Sequence, residues 1–221
     1  MRKGKNALWA FCGDADKDAP DSKLLTRRST MRTGQSVIGS ILGLSLVLAW
    51  GIASPNTARA DWTGNVNVSL GMKALNEDDW TPVENQSEFA IEWDFRDRSW
   101  PVNAIVGLRG SYDEAEDLGF TLEGKTSELS LGARKIWDSF PHMRPFIGGG
   151  LSMMNAEIEV LGVSVSDSAP GLWLGGGVYW ALTPHFNLGF DLRFSRATVT
   201  LAGVDGEAGG NHLGLLLGYH Y

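Results

Sequence analysis

The chain has 221 residues, 43% of them hydrophobic and 20% charged, with one cysteine and a formal net charge of −7; a single cysteine excludes a disulfide framework and a multi-cysteine metal site. The charge is uneven, since residues 1–60 carry nine Lys and Arg against four Asp, which leaves ten basic and twenty-two acidic residues, a balance of −12, for residues 61–221. Such an acidic stretch excludes nucleic acid as a natural partner, because phosphate binding needs clustered positive charge, and twenty-eight glycines argue against a helical bundle, where each interior glycine costs about 1 kcal/mol relative to alanine.

The first predicted element is a targeting segment. Ser36 to Ala53 contains no charge, follows Arg27, Arg28 and Arg32, and is succeeded by Pro55 and a small-x-small end at Ala58, Arg59 and Ala60. Basic, apolar and Ala-x-Ala regions in that order predict a cleavable secretory signal peptide cut before Asp61, in preference to an uncleaved anchor, although about eighteen apolar residues suffice to cross a bilayer as a helix. Met31 stands where an ordinary signal peptide begins, so residues 1–30 are expected to precede the true start, and Cys12 to be absent from the working protein. Residues 1–60 are thus an N-terminal extension with its signal peptide, and residues 61–221 are the functional domain.

From Asp61 onward apolar residues recur at every second position, the period of a strand with one apolar face. The first strand sets Val66, Val68, Leu70 and Met72 against Asn65, Asn67, Ser69 and Lys73. The second sets Phe89, Ile91, Trp93 and Phe95 against Glu88, Glu92, Asp94 and Arg96, and the third Val102, Ala104, Val106 and Leu108 against Asn103 and Arg109. Leu129, Leu131 and Ala133 oppose Glu128, Ser130 and Arg134 in the fourth. The fifth, Pro145 to Met153, is blurred by glycine, with Ile147, Leu151 and Met153 outward and Phe146 inward. The sixth opposes Leu172, Leu174, Val178 and Trp180 to Trp173 and Tyr179; the seventh opposes Phe186, Leu188, Phe190, Leu192 and Phe194 to Asn187, Asp191, Arg193 and Ser195. In the eighth, Leu213, Leu215, Leu217, Tyr219 and Tyr221 face away from His212, Leu216 and His220.

Alternation alone does not separate a soluble sandwich from a membrane barrel, so the polar face decides. In a sandwich that face meets water and carries any charge; in a small closed barrel it is interior and must neutralise itself. The polar face holds Glu88, Glu92, Asp94, Glu128 and Asp191 against Lys73, Arg96, Arg109, Arg134 and Arg193. Five against five, in a domain of net −12, predicts a balanced charge network in a barrel lumen, with the excess acid in the connections. Connections alternate in length: long near 76–86, 113–126, 154–170 and 196–210, short near 97–101, 138–144 and 183–185. That is the order of an eight-stranded antiparallel transmembrane β-barrel with long outer loops, short periplasmic turns and both termini in the periplasm. Trp62, Trp100, Trp137, Trp180, Phe186, Tyr219 and Tyr221 gather near the short-turn end, as an interfacial aromatic girdle does. The third long connection continues to alternate, which predicts a hairpin centred near Gly162 that projects beyond the membrane.

With its signal peptide, eight amphipathic strands and a terminal Gly-Leu-Leu-Leu-Gly-Tyr-His-Tyr, the chain resembles the small outer-membrane β-barrels typified by OmpX and the transmembrane domain of OmpA. The resemblance is one of pattern and covers nearly all of residues 61–221. It implies an outer-membrane location in contact with membrane lipid, and a last strand read by the barrel-assembly machinery through Leu215, Leu217, Tyr219 and Tyr221.

Catalytic and metal-binding motifs are sparse. His142 and His185 lie beside prolines in short turns, while His212 and His220 face inward, where hydrogen bonding is the expected role. No His-x-Ser of the lipid A deacylase type occurs. Ser195, Asp191 and His212 are near enough in the strand pattern to form a weak nucleophilic constellation. Acidic runs at Asn76–Asp79 and Asp113–Asp117 lack EF-hand spacing and read as solvated surface; no cofactor is implied. The expected function is therefore non-enzymatic: structural or adhesion-like, with an extracellular protein or surface ligand met by long acidic loops. The alternatives are a lipid-modifying outer-membrane enzyme and a narrow small-solute channel.

Overall fold

The structure is a computed structural model that describes residues 62–117, 120–138 and 142–221; the signal peptide, its cleavage site, Met31 and Cys12 lie outside the described residues. Eight long strands form the wall: β1 (Trp62–Ala74), β2 (Asn85–Asp97), β3 (Asn103–Asp117), β4 (Phe120–Ile136), β5 (Met143–Val160), β6 (Val163–Ala181), β7 (Phe186–Arg196) and β10 (Asn211–His220). They close into an antiparallel barrel in the order β1-β10-β7-β6-β5-β4-β3-β2, and the first strand pairs with the last from Asn65–His220 to Ala74–Asn211.

The period-two pattern becomes two chemically opposite faces. Along β10 exposed and buried residues alternate without a break from Asn211 to Tyr219, with Leu215 69% exposed beside Leu216 at 1%. Leu70, Leu131, Leu151, Leu172 and Leu217 are likewise exposed around the wall. A continuous apolar belt of this extent has no place in water; it is the surface of a barrel whose solvent is hydrocarbon. At the short-turn end the Trp62 ring lies 5.4 Å from Trp100 and 5.8 Å from Phe95, Phe186 meets Tyr219 edge-on at 5.5 Å, and the Trp93 indole donates to Tyr221 Oη at 2.6 Å. Trp137 and Trp180 are exposed at the same end. Trp93 and Phe95 thus join an aromatic cluster to which the sequence pattern did not assign them.

Two of the long connections are strand rather than loop. β3 and β4 remain paired as far as Asp117–Phe120, and β5 and β6 as far as Val160–Val163. The β5–β6 turn is Leu161–Gly162, with φ of 54° and 76°, the paired positive-φ geometry of a two-residue hairpin whose twist matches its strands. The hairpin expected at Gly162 is therefore present. Expected connections at 113–126 and 154–170 shrink to two residues each because ladder hydrogen bonds persist above the membrane, forming a four-stranded flange.

The other two long connections fold over the barrel mouth. Residues 76–86 contain a one-turn helix, α1 (Glu77–Trp80), whose N-cap Asn76 accepts from the Asp78 N–H. Residues 196–210 contain the hairpin β8 (Thr198–Leu201) and β9 (Val204–Glu207), closed by Ala202 and Gly203 at φ of 51° and 81°. Leu75, Trp80, Val83, Leu122, Met154, Val199 and Leu201 pack there as an apolar core that caps the lumen. Trp80 Nε1 donates to the Glu207 carbonyl at 2.8 Å, and Glu207 N–H to Asp79 Oδ2 at 3.0 Å.

The lipid-facing assignment is testable in mid-wall. Phe190, paired with Leu215 and Val178, faces hydrocarbon near the centre of β7, whereas Phe186 sits at the aromatic end. Replacing Phe190 with Arg should cost about 2–4 kcal/mol of folding free energy in lipid vesicles, and Phe186→Arg roughly 0–1 kcal/mol. Equal, severe losses at both positions, measured by urea titration of the vesicle-folded domain, would indicate a packed core on that face instead.

Candidate functional site

The inward face brings together nine of the ten residues expected in the lumen. Arg109 on β3 is the hub: its guanidinium reaches Glu88 Oε1 at 2.8 Å, Glu92 Oε1 at 2.7 Å and Asp191 Oδ2 at 3.1 Å. The first two carboxylates come from the neighbouring β2 and the third from β7. Arg134 donates to Glu92 Oε2 at 2.7 Å and Tyr179 Oη at 2.6 Å, with its guanidinium 4.5 Å from the Phe146 ring centroid. Arg193 pairs with Glu128 and lies 4.2 Å from the centroid of Trp173. Lys73 gives hydrogen bonds to Thr126 Oγ1 at 2.7 Å and the Ala208 carbonyl at 2.8 Å. Glycine makes the space: a Cβ on Gly132 would stand 2.7 Å from the Trp173 ring.

Arg96 does not join them. It lies half-buried at the short-turn mouth, 3.8 Å from Asp138, which also holds Arg144 at 3.2 Å. Asp94 is held by neutral amides and by Arg134, since Asn65 and Asn103 donate to its Oδ1 at 2.9 and 2.6 Å and Arg134 lies 3.6 Å from its Oδ2. The buried set is therefore four cations against five carboxylates, with His212 on the fifth. Arg96, Arg144, Asp138 and His220 line a polar cavity of about 130 Å³ at this mouth, while the opposite mouth is closed by the apolar cap.

The Ser195 constellation does assemble, with a different carboxylate. Ser195 Oγ is 2.8 Å from His212 Nε2, and His212 Nδ1 is 2.5 Å from Glu88 Oε2. Asp191, the expected third member, is drawn to Arg109. All three side chains face the lumen and are buried, so the set does not lie on the lipid-facing wall. Among the described residues no group of three or more His, Cys, Asp or Glu is arranged to hold a metal ion.

The charge excess lies at the capped end. Segments 75–86, 113–125, 155–168 and 196–210 hold fourteen Asp and Glu against Lys125 and Arg196 alone. Across the flange, Glu114 stands opposite Glu123, and Glu123 opposite Glu159. Lys125 bridges the last two, 2.7 Å from Glu123 and 3.7 Å from Glu159, and the Glu123 hydrogen bond raises its pKa. Asp167 accepts the Thr200 N–H at 2.7 Å, which ties β8 to the flange and lowers the carboxyl's pKa.

No protein-family model matches the chain, and no curated protein matches its sequence. Several solved structures share its fold. Neisserial surface protein A is 14% identical, with a TM-score of 0.55 over 73% of this chain and 97% of that one. Ail, the attachment invasion locus protein of Yersinia pestis, solved with the heparin analogue sucrose octasulfate, is 16% identical, with a TM-score of 0.52 over 73% and 99%. The outer membrane protein OprG of Pseudomonas aeruginosa is 8% identical, with a TM-score of 0.51 over 72% and 94%. The architecture of this chain is that of the small eight-stranded outer-membrane β-barrels.

The lumen network makes a stability prediction. Arg109→Ala removes a cation shared by three buried carboxylates and leaves Asp191 without its ion-pair partner, which should cost about 3–5 kcal/mol. Lys135, half-buried near the short-turn end and bonded to the Pro101 carbonyl, should change stability by less than about 0.5 kcal/mol when replaced by Ala. Denaturant midpoints of the folded barrel in detergent micelles compare the two.

Proposed function

We propose that this eight-stranded barrel resides in the outer membrane with both termini in the periplasm and that its outer face serves, without catalysis there, a structural and surface-interaction role. Its acidic flange and loops meet a cationic partner outside the cell. The observation that carries the reading is the Glu114–Glu123–Glu159 row. Like charges directly opposite one another across a sheet are destabilising, and one lysine offsets three carboxylates, so the row favours a ligand that brings positive charge. Ail was solved with a polyanionic heparin analogue; a loop surface of net −12 repels such a ligand, so the partner chemistry proposed here is the opposite one, a basic extracellular protein segment. Neither alternative is favoured: the Ser-His-Glu set faces inward, away from membrane lipid, and the lumen is filled by ion pairs and aromatic rings and capped.

In the same reading, Leu215, Leu217, Tyr219 and Tyr221 form the assembly signal that the barrel-assembly machinery recognises. They occupy the outward positions at the end of the strand that closes the barrel on β1.

Two measurements test the proposal. Single cysteines at Glu114, Ser164 and Asp205 should react with a membrane-impermeant thiol reagent on intact cells and one at Ser99 should not; labelling of Ser99 alone inverts the topology. A synthetic oligolysine peptide should bind the reconstituted barrel in low salt and lose about tenfold in affinity when Glu114, Glu123 and Glu159 are all changed to Gln, at roughly 0.5 kcal/mol per surface charge pair. Binding that ignores both the substitutions and added salt would overturn the cationic-partner reading.

A further inference from the structure

Ser195, His212 and Glu88 form a hydrogen-bonded chain whose polarity is that of an activated serine. The Gly210 N–H donates to Ser195 Oγ at 3.3 Å, which leaves the serine hydroxyl to donate to His212 Nε2 at 2.8 Å; His212 Nδ1–H then meets Glu88 Oε2 at 2.5 Å. Glu88 is held from behind, because its other oxygen accepts from Arg109 Nη1 at 2.8 Å. Nucleophile, base and orienting carboxylate thus stand in the mutual geometry that recurs on unrelated hydrolase folds and is recognised by role rather than sequence order. The histidine comes from the neighbouring strand β10, and the glutamate that orients it comes from β2, with β1 between.

The position of the chain in the barrel adds the second observation. Ser195 lies in the last polar layer beneath the apolar cap. Its N–H donates to the Gly210 carbonyl at 2.9 Å, and Ala208 N–H to the Ala197 carbonyl at 2.8 Å, so the segment entering β10 passes directly over it. Above that segment the cap presents Trp80, Val83, Val199 and Leu201, an apolar underside. Trp80 to the Glu207 carbonyl and Glu207 to Asp79 bind α1 to the hairpin, while the hairpin meets the rim through Thr200 N–H to Asp167, Arg196 to Glu207 at 3.3 Å, and apolar packing on Leu122 and Met154.

We propose that α1 and the β8–β9 hairpin are a lid over a reactive serine, and that Ser195 attacks short-chain acyl esters entering from the capped end. In the first step Ser195 Oγ bonds to the ester carbonyl carbon while His212 Nε2 takes the hydroxyl proton, Glu88 steadies the imidazolium, and the Gly210 N–H is the donor at hand for the oxyanion. The ester C–O bond breaks, and the alcohol leaves with the proton from His212. Water, deprotonated by the same nitrogen, then cleaves the acyl-serine and releases the carboxylic acid. The apolar underside of the lifted lid suits the acyl chain. This chemistry is independent of the surface-interaction reading, which concerns the outer face of the flange.

The test uses the full mature barrel folded in detergent micelles, with heat-modifiable gel mobility as the check on folding. A small alkyl fluorophosphonate should add to Ser195, read by peptide mass spectrometry, and p-nitrophenyl butyrate should be hydrolysed. Both reactions should be lost in Ser195→Ala and slowed at least about a hundredfold in His212→Gln, the lower range of what a positioned general base contributes. Loosening the lid with Trp80→Ala, or with Leu201→Ala if the first does not fold, should accelerate labelling. An unlabelled Ser195 in both the folded wild type and a folded lid variant overturns the proposal, as does labelling that proceeds equally fast in folded His212→Gln and folded Glu88→Gln. Oligolysine binding is read separately, so the loss of either function leaves the other measurable.

Discussion

A lumen eight strands wide has room for side chains and little else, and that is the constraint on which the rest of the structure depends. Charges placed there lose water, and an unpaired ion in such surroundings costs several kcal/mol. The chain meets the constraint by sharing. Arg109 touches three carboxylates, Glu92 is contacted by both Arg109 and Arg134, and Asp94 is held by three asparagine amides. Four cations serve five carboxylates because His212 and neutral donors complete the set. The aromatic rings have the same logic: Trp173 and Phe146 lie against Arg193 and Arg134, so the guanidinium faces not used for hydrogen bonding meet π-systems rather than voids.

Neutralising the lumen has a consequence at the surface. Once the inward charges nearly cancel, almost the whole acidic excess of residues 61–221 falls on the segments above the wall. The short-turn end, with Arg96, Arg98, Lys135 and Arg144, is mildly basic. One end of the molecule is thus a concentrated negative field and the other is not. Self-repulsion within the flange is tolerated because its strands share an unbroken hydrogen-bonded ladder, and because Leu122, Ile158 and Val160 anchor its inner face to the cap.

The wall was legible in the sequence because outward and inward residues differ sharply in polarity at every second position, and a strand cannot hide that period. Arg96 was misplaced because alternation gives the face and not the depth: it points inward, but at the mouth, where Asp138 and water are within reach. The strand extensions at 113–117 and 120–126 were obscured because above the membrane both faces carry polar residues and the alternation fades, whereas the β5–β6 extension keeps its alternation and was legible as a hairpin. The cap was invisible, since Leu75, Trp80, Val83, Val199 and Leu201 are scattered through acidic loops with no period of their own. Glu88 could not be chosen over Asp191 as the partner of His212, because that choice depends on which carboxylate Arg109 claims across the lumen.

The same network explains why one closed register is selected. Arg109 binds Glu88 and Glu92 from the adjacent strand, but Asp191 comes from β7, four strands from β3 in either direction round the wall. Glu88 likewise reaches His212 on β10, with β1 between them. An open sheet of the same eight strands would satisfy the neighbouring pairs and leave Asp191 and His212 without their cross-lumen partners. A one-residue slip at the β1–β10 seam would turn one strand's polar set toward lipid. Only the closed barrel in this register pairs both sets at once, so the buried charges, which add little net stability when replaced by well-packed apolar groups, act here as the device that makes closure all-or-none.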